Sequence, residues 1–123
     1  MRIVIIGNGK VGSTFARQLA LSGHDVTIVD RRQSALQACS DLDLMSIEGN
    51  GASYDVLLDA GVNRADLLIA ATSTDEMNAL VCLLGKKIGA KHTIARVRDP
   101  NFTKEINLVK EELGLSMAIN PEL

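Results

Sequence analysis

The aliphatic run Ile3-Val4-Ile5-Ile6 closes a strand candidate, Arg2 to Ile6, and leads straight into Gly7-Asn8-Gly9-Lys10-Val11-Gly12, after which a helical pattern runs from Val11 to Ser22. Glycines at those three positions, between a strand and a helix, leave few folds open. The first permits a tight turn, the second lets the backbone approach a pyrophosphate with no Cβ in the way, and the third lets the helix pack on the strand. The helix starting there presents free N–H groups and the positive end of its dipole to the same point, which suits an anion. The spacing alone is weak evidence, since a purely structural glycine-rich turn has the same letters. Its position between strand and helix gives it meaning.

The rest of the sequence repeats that alternation. Apolar runs predict further strands at Asp25 to Val29, Leu44 to Ile47, Leu67 to Ala71, Thr93 to Val97 and Ser116 to Ile119, with helices at Gln33 to Ser40, Ser53 to Ala60, Asp75 to Ile88 and Pro100 to Leu113 between them. Such alternation is the signature of parallel strands joined by crossover helices. Gly23, Gly61, Gly89 and Gly114 each follow a helical run, where a left-handed residue ends a helix. Asp99 before Pro100 reads as an N-cap with proline at the first helical position. Ser73 and Glu76 have capping-box spacing, so the helix after the fourth strand is expected to begin at Ser73. Six strands and five helices in this order predict an α/β three-layer Rossmann fold, a doubly wound parallel six-stranded sheet of order 3-2-1-4-5-6. The 123 residues carry no linker-like stretch and no repeat. Residues 1–123 therefore read as a single domain, long enough to bury about two-thirds of its unfolded surface without a disulfide or metal.

Composition narrows the function classes. Hydrophobic residues at 46% and charged residues at 23% are ordinary for a soluble domain. No stretch nears 18 consecutive apolar residues, which argues against direct membrane insertion, and Met1 to Ile6 has neither a basic segment nor a cleavage site. Cys39 and Cys82 sit in no metal or redox spacing and read as free thiols of a reducing compartment. A soluble, cytoplasmic chain is expected. Net charge is −2, the basic residues are scattered apart from Arg31-Arg32 and Lys86-Lys87, and the aromatics are only Tyr54, Phe15 and Phe102. A nucleic-acid surface is not supported.

Asp30 ends the second strand, where a carboxylate can accept hydrogen bonds from both ribose hydroxyls of an adenosine. That favours NAD(H) over NADP(H), because a carboxylate repels a 2′-phosphate. Arg31 and Arg32 pull the other way, since an arginine there can take a 2′-phosphate or stack on adenine; an aspartate that merely closes a turn is the plain alternative. Ligands of such sheets sit outside the carboxyl ends of the strands. After the third strand, Gly49-Asn50-Gly51-Ala52-Ser53 is small enough to admit an adenine ring. After the fourth, Thr72, Ser73 and Thr74 offer hydroxyls to ribose or phosphate, although Ser73 can equally cap its helix, and Asp75 and Asn78 follow. Arg96 interrupts the apolar run of an interior strand, where an unpaired charge is costly; a phosphate or Asp75 would answer it. Arg98 shares its face by the period of two, and a salt bridge is the plain reading of both. A dehydrogenase also needs a proton-transfer group, yet His24 and His92 fall at the amino edge of the sheet, and Cys39 and Cys82 read as small helix-borne hydrophobes. The residues describe a module for an adenine nucleotide, NAD(H) first, without visible catalytic machinery.

Taken together, Gly7-Asn8-Gly9-Lys10-Val11-Gly12, Val29-Asp30, Gly49-Asn50-Gly51, the stretch Ala71 to Asn78, Ile94-Ala95-Arg96-Val97-Arg98 and the closing Ile119-Asn120-Pro121-Glu122 resemble the N-terminal nucleotide-binding domain, RCK or KTN, of TrkA-type potassium-uptake regulators. The resemblance spans the whole chain. It implies a non-enzymatic regulatory subunit, cytoplasmic and held at the inner face of the membrane by a potassium transporter or channel. It further implies assembly as a homodimer or higher homo-oligomer whose shape, and so the partner's gate, responds to NAD(H) or to ATP and ADP. By position it carries nucleotide contacts onto Gly7 to Val11, Asp30, Thr72, Ser73 and Arg96. With the neighbours argued above, the candidate set is Gly7, Asn8, Gly9, Lys10, Val11, Gly12, Asp30, Arg31, Asn50, Gly51, Ala52, Thr72, Ser73, Arg96 and Arg98. Family members continue into a further helix and a smaller C-terminal domain, whereas these residues end at Leu123. Two rival readings stay open: the cofactor-binding half of an NAD-dependent oxidoreductase, which requires a second domain, and an interaction domain with a closed pocket, which binds no nucleotide.

Overall fold

Aliphatic residues on successive positions of one strand must be covered on both faces, since neighbouring side chains point to opposite sides. In the first strand, β1 (Arg2–Ile6), Ile3 and Ile5 enter one core cluster and Val4 and Ile6 the other. A computed structural model describes residues 1–120 and shows how that demand is met. The remaining elements are α1 (Lys10–Leu21), β2 (Asp25–Asp30), α2 (Gln33–Gln37), β3 (Met45–Glu48), α3 (Tyr54–Asp59), a 3₁₀ turn (Val62–Arg64), β4 (Leu67–Ala70), α4 (Asp75–Ile88), β5 (His92–Arg96), α5 (Pro100–Val109) and β6 (Met117–Ile119). All neighbouring strands pair in parallel, in the order β3-β2-β1-β4-β5-β6. This is the doubly wound Rossmann sheet that the sequence predicts.

Helices α1 and α2 cover one face through Val11, Phe15, Leu19 and Leu36, packed on Ile3, Ile5, Val26, Ile28 and Ile69. Helices α3, α4 and α5 cover the other, where Leu57, Val81, Cys82 and Ile106 meet Val4, Ile6, Val29, Leu68 and Ala95. The two halves of the sheet meet at β1. It pairs with β2 through Ile3–Val26 and with β4 through Ile3–Leu67, so the connections after β1 and β4 leave on opposite faces. A crevice opens at the carboxyl ends between them.

Local signals explain most boundaries. The Asp99 carboxylate accepts the Asn101 N–H at 2.9 Å and starts α5, as expected, and the four glycines that follow helical runs have positive φ. The cap of α4 is a correction: Thr74, not Ser73, is its N-cap, and its hydroxyl accepts the Met77 N–H at 3.3 Å. Asn78 holds the Thr72 N–H and Arg98 donates to the Ser73 carbonyl, so Ser73 is held in the loop and the helix begins one residue later. Helices α2 and α5 stop short of Ser40 and Leu113, giving way to turns. Pro121 and Glu122, part of the resemblance drawn from sequence, lie outside the described residues.

Candidate nucleotide-binding site

The three glycines of the turn between β1 and α1 differ in what demands them. Gly7 has φ +96°, and a Cβ there would stand 2.7 Å from the Ala71 carbonyl oxygen at the end of β4. A Cβ on Gly12 would run into the Gly7 carbonyl oxygen. Both are therefore required by the chain's own packing. Gly9 is not: its φ of −74° and ψ of −160° are ordinary extended backbone, and a Cβ there meets no protein atom within 4 Å. What glycine preserves at position 9 is free space beside the turn.

That space belongs to a cleft of about 470 Å³. Gly7, Gly9, Lys10, Val11, Asp30, Arg31, Gly51, Thr72, Ser73, Arg96 and Arg98 from the sequence-derived set line it, joined by Ile6, Val29, Arg32, Gly49, Ala71 and Met77. Among the described residues, the ionised side chains on this lining are five cations (Lys10, Arg31, Arg32, Arg96 and Arg98) and one carboxylate, Asp30, in a chain of net charge −2. Such an excess of positive charge fits a polyanion. The start of α1 fits one too. Helices α3, α4 and α5 cap themselves with Ser53, Thr74 and Asp99, but the N-cap of α1 is Gly9, with no capping side chain and no acidic residue in the first turn. Its first N–H groups and dipole face the cleft without an internal anion.

Asp30 is the acidic element of this wall, and it is buried. Its carboxylate accepts the Asn8 N–H at 2.8 Å, the Arg32 N–H at 2.8 Å and the Arg32 Nε–H at 3.3 Å. Burial pushes the carboxyl upward, but these amide and guanidinium bonds outweigh it and hold the group below the usual aspartate value. The stability they add is present in full above the unfolded value and is lost as pH falls through the lowered one.

Opposite Asp30, Asn78 of α4 ties the ends of β4 and β5 together. Its Oδ1 accepts the Thr72 N–H at 2.8 Å and the Thr72 hydroxyl at 2.6 Å, while its Nδ2 donates to the Arg96 carbonyl at 2.9 Å. The Thr72 hydroxyl thus has its proton committed within the chain and is left to act as an acceptor. Asp75 supplies a favourable charge to Arg96, as anticipated, while its two oxygens accept the backbone N–H groups of Arg98 and Asp99 at 2.9 and 2.8 Å. Arg96 Nη1 reaches the Thr72 carbonyl at 3.4 Å; burial lowers its pKa, Arg98 adds to the effect and Asp75 opposes it. Arg98 lies just past β5, in the loop, and straps across to Ser73.

Asn8, Gly12, Asn50 and Ala52 are not brought to the lining. Asn8 is buried and turned away, its Nδ2 donating to the Ala35 carbonyl at 2.6 Å, and its backbone N–H is spent on Asp30. Asn50 closes its own turn by accepting the Ala52 N–H at 3.0 Å. Asn78 stands outside the candidate set drawn from sequence, although a polar side chain beside Ala79, Val81 and Cys82 on the buried face of α4 is a signal for it. His24 meets the chain's amino terminus at 3.1 Å and His92 begins β5, both at the far edge of the sheet. The Cys82 thiol is buried; desolvation pushes it up to about 12 against an opposing bond with Thr93, so it stays protonated at neutral pH.

Residues 3–121 match the TrkA-N domain family. The chain belongs to that family. A TrkA-N relative, the Trk system potassium uptake protein TrkA homolog of Archaeoglobus fulgidus, is 44% identical over 123 residues, which cover 100% of this chain and 28% of that protein. The chain thus spans little more than a quarter of that relative's length. The TrkA-N domain of inner membrane protein ybaL from Escherichia coli has the same fold, with a TM-score of 0.85 at 17% identity over 98% of this chain and 87% of that one. The GsuK channel bound to NAD gives a TM-score of 0.78 at 22% identity, covering 96% of this chain and 21% of that one. GsuK bound to ADP gives 0.78 at 23%, covering 97% and 31%.

Proposed function

We propose that this TrkA-N domain is the nucleotide-sensing part of a cytoplasmic regulatory subunit of a potassium transport system, with an adenine nucleotide, NAD(H) foremost and ATP or ADP next, as its signal. Gly9 carries the reading, because nothing inside the protein requires glycine there and the space it keeps open lies between an uncapped helix end and a ring of cations. A diphosphate at the start of α1 would take the free N–H groups of that turn, Lys10 and the Arg96 and Arg98 side would neutralise it, and the adenosine ribose would reach Asp30. The small loop at Gly49 and Gly51 leaves room for the adenine.

The domain acts on a membrane potassium transporter or channel rather than on a substrate, and does so as a homodimer or larger homo-oligomer. The relationship to TrkA homologues supports that partner, and the GsuK channel, with NAD and ADP forms, supports the ligand class. Among the described residues no helix is long and apolar enough to cross a membrane, so membrane attachment is assigned to the partner.

Calorimetric titration with NAD⁺, NADH, ATP and ADP tests the reading. Binding of any of them at one shared site is expected, and the ranking names the signal; no heat from any of the four would refute nucleotide sensing. Asp30→Ala is expected to weaken NADH binding by about 1.5 to 3 kcal/mol, the scale of hydrogen bonds to a charged group. Unchanged affinity in that variant would mean that the carboxylate does not hold the ribose.

A further inference from the structure

Asp30 faces the cleft already engaged. An ionised carboxylate offers about four acceptor positions. Both positions on Oδ1 are taken by Arg32, through its backbone N–H at 2.8 Å and its Nε–H at 3.3 Å, and one on Oδ2 is taken by the Asn8 N–H at 2.8 Å. One acceptor remains, whereas the two hydroxyls of a ribose need two. The Asn8 amide is fixed by the glycine-rich turn and the Arg32 amide by the start of α2. The Arg32 guanidinium is different: its bond is the longest of the three and its side chain is 65% exposed.

We propose that Arg32 is a specificity-determining residue, whose guanidinium competes with the ribose of an incoming nucleotide for Oδ1 of Asp30. A ribonucleotide engages both hydroxyls only when Arg32 swings out. A 2′-deoxyribonucleotide, with one hydroxyl to place, uses the acceptor left on Oδ2 and displaces nothing. The chain therefore distinguishes the two sugars less sharply than its carboxylate alone would. The inference rests on reading the cleft as a nucleotide site. Arg31 supplies the internal control, for it lines the same cleft with the same charge, while the three bonds to Asp30 come from Asn8 and Arg32.

The test is calorimetric titration of ADP and 2′-deoxy-ADP into the wild-type chain, Arg32→Ala and Arg31→Ala at one salt concentration. Arg32→Ala removes one cation from the cleft for both nucleotides alike and frees Oδ1 for the ribose alone, so the ratio of ADP affinity to 2′-deoxy-ADP affinity is expected to rise about two- to fivefold, the scale of an exposed ion pair. Arg31→Ala is expected to keep the wild-type preference whatever it does to overall affinity. A ribose preference in Arg32→Ala equal to that of the wild type overturns the role of Arg32, since an equal change for both nucleotides would place Arg32 on phosphate or adenine instead. Wild-type chain that binds neither of these nucleotides nor NADH overturns the nucleotide site itself and this inference with it. Residue 32 keeps its backbone N–H in the alanine variant, so Asp30 and the start of α2 stay bonded, and a thermal melt verifies that the fold is retained.

Discussion

Gly9→Val is expected to abolish the calorimetric heat of NADH and ADP while lowering the melting temperature by no more than about 5 °C, the cost of losing glycine at a helix N-cap. Two observations separate the effects. The backbone at position 9 is in an extended conformation that valine adopts freely, and a Cβ there meets no protein atom within 4 Å. The added side chain therefore starts in open space, along the path where a pyrophosphate would approach the first turn of α1. Retained binding would show that the phosphates take another route; unfolding would show that the glycine serves the fold after all.

Gly12→Ala is the opposite case, three residues on. Its Cβ is directed into the Gly7 carbonyl oxygen, a backbone atom fixed because the Gly7 N–H donates to the Val29 carbonyl at 2.7 Å. Neither side can yield as a flexible side chain would. A loss of about 3 kcal/mol is expected, with the melting temperature down by about 10 °C and any loss of binding following from the fold. Urea or thermal unfolding measures it, and a melt like the wild type's would mean that α1 can shift away from β1. One motif thus holds a position that the chain's own packing leaves open and a position that the packing demands.

The parts of the molecule written in periodicity were legible. Six apolar runs became six strands in the expected order because the inner strands β1, β2, β4 and β5 are covered on both faces and largely apolar, while the more exposed β3 and β6 were given by the alternation of strands with helices. The positions of Gly7, Asp30, Thr72 and Arg96 around one cleft followed from the rule that loops at the carboxyl ends converge at the switch in strand order. What sequence could not resolve was the direction of polar side chains within those loops. Asn8 lies inside the motif yet turns its amide to Ala35, since α2 packs beside the turn and offers a carbonyl there. Ser73 and Thr74 are both competent caps, and the choice between them was made by Arg98 and Asn78, which lie elsewhere in the sequence. Asp75, expected only as a counter-charge for Arg96, also anchors the loop after β5 through two backbone amides. Each of these outcomes depends on a neighbour that only the folded chain supplies.

The place of β1 between β2 and β4 bears on how the chain comes off the ribosome. Ile3, Val4, Ile5 and Ile6 are made before either of their partners, and the second, Leu67 to Ala70, follows about 64 residues later. At typical rates of synthesis that gap lasts roughly 3 to 13 seconds. Throughout it, the strand destined for the centre of the sheet is an edge, aliphatic and with its outer N–H and C=O groups open to any passing strand. The half-made protein is thus most prone to aggregate through the segment that, once finished, is its best-protected one.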